Sequence, residues 1–218
     1  MPFNDQVKSQ IEHYINLIIP SDEWYEIEFD FILDETIKRR IIKEFRNARK
    51  IYKFFEGMQS KDEFLEAEVR VQILMYASIY EAMIHYLLFD RLKDNEEVKK
   101  LLIHTIPKKI SIPLNKKEKL QRELLHNGHE IVPMYYEESP KDITSIRFDE
   151  KCTTACNIGL ISDKLKRELI RIYELRNCLH MHAELRKGIE YELEMSLIAY
   201  RRMQPFREQV KKYFNKAN

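Results

Sequence analysis

Four glycines in 218 residues is the feature that most constrains this chain. Strand-rich folds use glycine at turns, bulges and close backbone approaches, and nucleotide-binding α/β folds use it in loops that cradle phosphate. With almost none to place there, the expected fold class is all-α, a helical bundle. The length suits a single domain, 1–218, with room for an insertion. Lys and Arg number 37 against 36 Asp and Glu, so the formal charge is +1. That balance excludes a uniformly basic nucleic-acid binder and leaves room only for a local basic face. Cys152, Cys156 and Cys178 cannot all pair within one chain, which points to a reducing cytoplasm. No apolar run reaches the roughly 18 residues of a membrane span, and the polar, periodic N-terminus does not read as a signal peptide. No membrane association is expected.

Hydrophobic spacing organises the chain into helices. Val7, Ile11, Tyr14, Ile15 and Ile18 predict one over 4–18, closed by Pro20 and Ser21. The alternation of WYEIEFDFIL reads as a short extended segment over 24–33. A second helix is predicted over 34–56, with Ile37, Ile41, Phe45, Ala48 and Tyr52 on one face and Gly57 as its stop. Ser60 or Asp62 can cap a longer helix through 92. There Val69, Ile73, Tyr76, Tyr80, Met83 and Leu87 form a stripe, and Leu74, Ala77, Ile84 and Leu88 fill much of the remaining circumference. A helix apolar on several sides belongs at the centre of a bundle.

Residues 94–147 break the pattern. The stretch carries four prolines, the cluster Lys116, Lys117 and Lys119, and one predicted helix over 116–126, and HEIVPMYY and ITSIRF are open to short strand or ordered loop. Too little apolar mass lies here for a separate core, so the stretch reads as a partly irregular insertion between core helices. Helices resume over 148–158, 162–184 and 187–214, with Gly159 ending the first and Ser162 or Asp163 capping the second.

The richest chemistry lies in LISDKLKRELIRIYELRNCLHMHAELR. At about 100° per residue, Leu165, Leu169, Ile172, Arg176, Leu179 and His180 fall in one stripe. A guanidinium on the continuation of an apolar face must be paired or must line a cleft that admits an anion. Glu81 on the central helix is the candidate partner, and Asn177 can bridge neighbouring groups or a phosphate. A histidine near neutrality beside a fixed arginine suits phosphodiester cleavage, with no metal or cofactor required.

At these residues the chain resembles the HEPN domains, all-α proteins many of which are ribonucleases. Glu174-Leu175-Arg176-Asn177-Cys178-Leu179-His180-Met181-His182 is similar to their Arg-x(4–6)-His signature, in which Asn commonly follows the Arg. The likeness extends upstream through FDEKCTTACNIGLISDKLKRELIRIYELRN and, more loosely, to YASIYEAMIHYLLFDRL, about half the chain. The resemblance implies a metal-independent endoribonuclease that cleaves RNA by 2′-hydroxyl attack, in a toxin or phage-defence setting. It makes Arg176 and His182 the catalytic pair; the helix faces themselves offer Asn177, His180 and Glu81 as support. It also implies a homodimer with facing motif helices and RNA in the shared cleft. Because about five residues separate the pair, convergence needs a helix irregularity or a second subunit. Glu184 stands where some family members carry a tyrosine modified by an antitoxin, so pairing with such an antitoxin is in doubt.

Two other readings stay open. One is a non-catalytic HEPN-like module that binds nucleotide or RNA, or dimerises, with Arg176 structural. The other is a zinc-stabilised helical protein, in which Cys152 and Cys156, and Cys178 and His182, sit one helical turn apart. The lysine cluster and the loop histidines His126 and His129 read as solvated.

Overall fold

A computed structural model describes residues 2–124, 129, 131–179 and 181–217. Over those residues the fold is mostly helical, with one small two-stranded sheet. Ser21 caps the second helix by accepting the Trp24 amide at 3.3 Å, so α1 (Asp5–Asn16) is followed by α2 (Asp22–Glu28) and not by an extended segment. Tyr25, Phe29 and Ile32 are buried at helical and turn spacing, which explains why the alternating pattern was misleading. Helix α3 (Glu35–Met58) starts on the Asp34 side chain and runs past Gly57, ending at Gln59, whose φ is +49°. Gly57 serves a different purpose from a stop. A Cβ there would stand 2.8 Å from the Tyr14 ring of α1.

The central helix is α4 (Asp62–Tyr86), which continues as a π-helical turn over Leu87–Arg91. It packs against α3, α7 (Phe148–Asn157), α8 (Asp163–Asn177) and α10 (Leu193–Arg201). Lys61 stands at its N-cap with no side-chain bond, so neither Ser60 nor Asp62 caps it. The expected stripe from Val69 to Leu87 is buried throughout, whereas Leu74 on the second face is 45% exposed. This helix is long and apolar enough to cross a membrane by length and composition, and 61% of the stretch is buried inside the protein. Tyr80 is fully buried, and its hydroxyl donates to the Ala199 carbonyl at 2.7 Å, tying α4 to α10.

In the insertion, Asn95 caps an additional short helix, α5 (Glu96–Leu101), which sets Val98 in the core and packs on α7. Strand β1 (Ile103–Lys109) pairs antiparallel with β2 (Met134–Pro140), from Ile103 opposite Pro140 to Lys109 opposite Met134. Helix α6 (Leu114–Glu123) lies between them in sequence, and ITSIRF forms a 3₁₀ turn over Ile143–Ser145. No described side chain from 103 to 140 is buried.

The C-terminal third departs furthest from expectation. Helix α8 ends at Asn177 and is followed by α9 (Met181–Lys187), so 162–184 is two helices. The expected helix over 187–214 is also divided. Gly188 takes φ +58°, α10 starts at Leu193, and α11 (Met203–Ala217) follows. Pro205 sits in the first turn of α11, where its missing amide hydrogen costs nothing. Leu175 and Tyr191 close a small second core with Val69 and Ile73, which Leu179 joins from the turn after α8.

Candidate functional site

Helix α8 begins at Ser162, whose hydroxyl accepts the Leu165 amide at 3.3 Å, and Leu165, Leu169 and Ile172 bury its inner face. That anchoring carries Tyr173 and Arg176 to the edge of the bundle. The Tyr173 ring stacks on Phe148 of α7 at 4.4 Å, and the Arg176 guanidinium lies over the same ring, 5.1 Å from its centre. Arg176 Nη1 donates to Asn177 Oδ1 at 3.1 Å and, at a long 3.4 Å, to the Tyr173 hydroxyl. The hydroxyl in turn donates to Glu81 Oε1 at 3.1 Å. Burial, and then the neighbouring Glu81 carboxylate, push the Tyr173 phenol above its ordinary range, so it remains a donor at neutral pH.

The expected meeting of Glu81 and Arg176 is therefore indirect, with Tyr173 between them. Among the described residues no carboxylate pairs with Arg176, and its Nε and Nη2 have no hydrogen-bond partner. A guanidinium backed by a ring, fixed at one nitrogen and left un-neutralised is suited to receive a phosphate or carboxylate on its open edge. Beside it lies a cleft of about 390 Å³ whose walls include Glu81, Arg147, Phe148, Tyr173 and Asn177.

His182 is exposed on α9, beyond the end of α8, and no hydrogen bond joins it to Arg176 among the described residues. Asn177 is exposed as the last residue of α8. His180 and His126 lie outside the described residues, as does the Glu184 side chain. His129 is exposed. Helix α8 stops between Arg176 and His182, at Asn177, a weak helix-interior residue, after which Leu179 turns inward to the second core.

Two residues that the sequence did not single out adjoin this site. Lys151 of α7 is 4% exposed, forms no ion pair among the described residues, and lines a second cleft of about 660 Å³ with Glu81 and His85. Burial pushes its ammonium below the ordinary lysine range, partly opposed by Glu81. Burial, and then the charge of Lys151, push the His85 imidazole down. Glu81 belongs to both clefts. Lys151 falls at the position of an ordinary solvated lysine in the pattern of α7, so only tertiary packing reveals it.

The cysteines are free, Cys152 and Cys178 buried and Cys156 half-buried. Among the described residues no three of His, Cys, Asp and Glu gather into a metal-holding group. The chain matches no protein-family model, no curated protein and no solved structure.

Proposed function

We propose that this protein is a metal-independent endoribonuclease of the HEPN type, acting as a homodimer in a reducing cytoplasm. The observation that carries the reading is the un-neutralised Arg176, held by Tyr173 and Asn177, both of which line the neighbouring cleft. In this reading Arg176 grips the scissile phosphate and stabilises the charge that develops on the five-coordinate phosphorus. Asn177 holds the guanidinium from one side, and Glu81 aligns it through the Tyr173 hydroxyl. The 2′-hydroxyl attacks the adjacent phosphorus and the bond from phosphorus to the 5′ oxygen breaks, leaving a 2′,3′-cyclic phosphate and a 5′-hydroxyl. His182 carries the proton, either taking it from the 2′-hydroxyl or giving it to the leaving oxygen. The end of α8 before His182 supplies the irregularity that a pair five residues apart requires, and a second subunit can complete the approach.

By analogy with the same family, the setting is toxin-like or antiviral, and a cognate antitoxin protein is a possible partner. A second reading is a non-catalytic RNA- or nucleotide-binding or dimerisation module. It is favoured by the lack of a hydrogen bond between Arg176 and His182 among the described residues. The two separate in one assay. Purified protein is incubated with total RNA in EDTA beside Arg176→Ala and His182→Ala, each checked for helical circular dichroism. Cleavage by wild type and by neither variant supports the nuclease. Absence of cleavage by folded dimer, with RNA affinity that falls in Arg176→Ala but not His182→Ala, supports the binding module.

A further inference from the structure

A third cleft lies on another side of the central helix, away from the one beside Arg176. On a helix of about 100° per residue, Gln72 and Glu81 point about 180° apart, so the two clefts open on opposite faces of α4. This cleft, about 300 Å³, is walled by Arg49 and Lys53 of α3, by Gln72 and Tyr76 of α4, and by Tyr200 and Arg201 at the end of α10. The volume falls at the small end of ligand pockets. Of its three cations, Lys53 pairs with Glu56, which also accepts the Tyr14 hydroxyl at 3.2 Å, and among the described residues Arg49 has no carboxylate partner; the buried Glu68 lies behind Glu56 and Tyr52. Arg201 also reaches Glu194, an exposed residue, at 3.5 Å.

The inner wall carries polar groups left over from the fold. Tyr76 is 1% exposed, and its hydroxyl has no hydrogen-bond partner among the described residues. Burial keeps that phenol protonated and able to donate. Gln72, also 1% exposed, donates its amide to the Ala48 carbonyl at 3.0 Å. Arg49 is held in place by the Ile18 carbonyl at 3.2 Å and lies between the Trp24 and Tyr200 rings, 5.8 Å from each centre. A hydroxyl that opens on the cleft with no acceptor among the described residues, an arginine without a carboxylate and aromatic walls together suit a guest with a flat ring and a negative end.

We propose that this cleft binds a small planar anion, an aromatic ring carrying a carboxylate or a phosphate. The anionic group sits among Arg49, Lys53 and Arg201 and accepts the Tyr76 hydroxyl, while the ring lies against Tyr200. The site is independent of the Arg176 cleft and does not rest on the nuclease reading.

The full chain is titrated with 4-hydroxybenzoate, phenyl phosphate and adenosine monophosphate, and separately with phenol and inorganic phosphate. Heat of binding gives the stoichiometry. Trp24, the single tryptophan, reports occupancy through Arg49 at its ring. The expected result is saturable binding of one ring anion per chain, at least about tenfold tighter than phenol or inorganic phosphate. Which of the carboxylate and phosphate arms binds decides the source. Tyr76→Phe, which keeps the ring, and Arg201→Gln, which changes an exposed residue, are each expected to weaken it about tenfold. No saturable binding of any ring anion to folded wild type overturns the proposal. Affinity unchanged in both variants, or matched by inorganic phosphate, overturns it as well.

Discussion

Removing one oxygen atom from Tyr80 and one from Tyr76 should have very different consequences. Both rings are at most 1% exposed and both belong to the core around α4. The Tyr80 hydroxyl donates to Ala199 at 2.7 Å. Ala199 lies in the last turn of α10, where a carbonyl has no helical amide to accept from. Tyr80→Phe therefore deletes a hydrogen bond and strands a buried carbonyl, while the ring keeps its packing. A bond of this kind contributes about 0.5–1.5 kcal/mol, and an orphaned buried acceptor raises the loss toward about 1–3 kcal/mol. We expect about 1.5 kcal/mol, a fall in Tm of about 3–6 °C for a chain of this size. The Tyr76 hydroxyl has no hydrogen-bond partner to lose among the described residues, so Tyr76→Phe should stay within about 0.5 kcal/mol of wild type in either direction. Thermal unfolding followed by circular dichroism at pH 7, without added ligand, measures both. Equal losses, or a larger loss for Tyr76→Phe, would refute the assignment of the α4–α10 tie to this bond.

Three further outcomes follow from the groups around Arg176. Tyr173→Phe removes the link between Glu81 and Arg176 but keeps the ring under the guanidinium, so RNA cleavage should drop about tenfold with Tm nearly unchanged; steady-state kinetics on a short RNA checks this. Lys151→Met replaces a buried ammonium, which has no ion pair among the described residues and only the Phe89 ring at 6.0 Å, with an apolar chain of similar size and should stabilise the fold by about 1 kcal/mol in urea titrations, and unchanged or lowered stability would contradict its unfavourable burial. His85 has a folded-state pKa below its unfolded value, so the unfolded chain takes up its proton first as pH falls. The stability His85 contributes is full above its unfolded pKa and is lost as pH drops through the folded one, and His85→Gln should flatten that limb of a Tm–pH profile.

The helical class was legible because scarce glycine and regular apolar spacing agree, and the buried stripe of α4 could be read residue by residue. The breaks were harder. Gly188 and Pro205 stand in plain view within 187–214, yet a continuous apolar pattern outweighed them, and Asn95 likewise announced α5. The pairing of β1 with β2 depends on contacts across 24 intervening residues, which local propensity does not carry. At the site, Arg176 and Asn177 were conspicuous as polar residues on an apolar continuation. Tyr173 carries no local signal that separates it from a core aromatic, and its position between Glu81 and Arg176 needs the packing of α4 against α8. Lys151 was invisible for the same reason: its burial is set by neighbours distant in sequence.

The most direct test of the Arg176 site is the chemistry of the ends it leaves. Wild-type protein in EDTA acts on a short RNA, and on the same RNA with a 2′-deoxy residue at the cleaved position, with Arg176→Ala alongside. Attack by the 2′-hydroxyl on a phosphate held by Arg176 yields 2′,3′-cyclic phosphate ends, no cut at the deoxy position and no cut by the variant. Cleavage that persists at the deoxy position or in folded Arg176→Ala, or no cleavage by folded wild type, would contradict it.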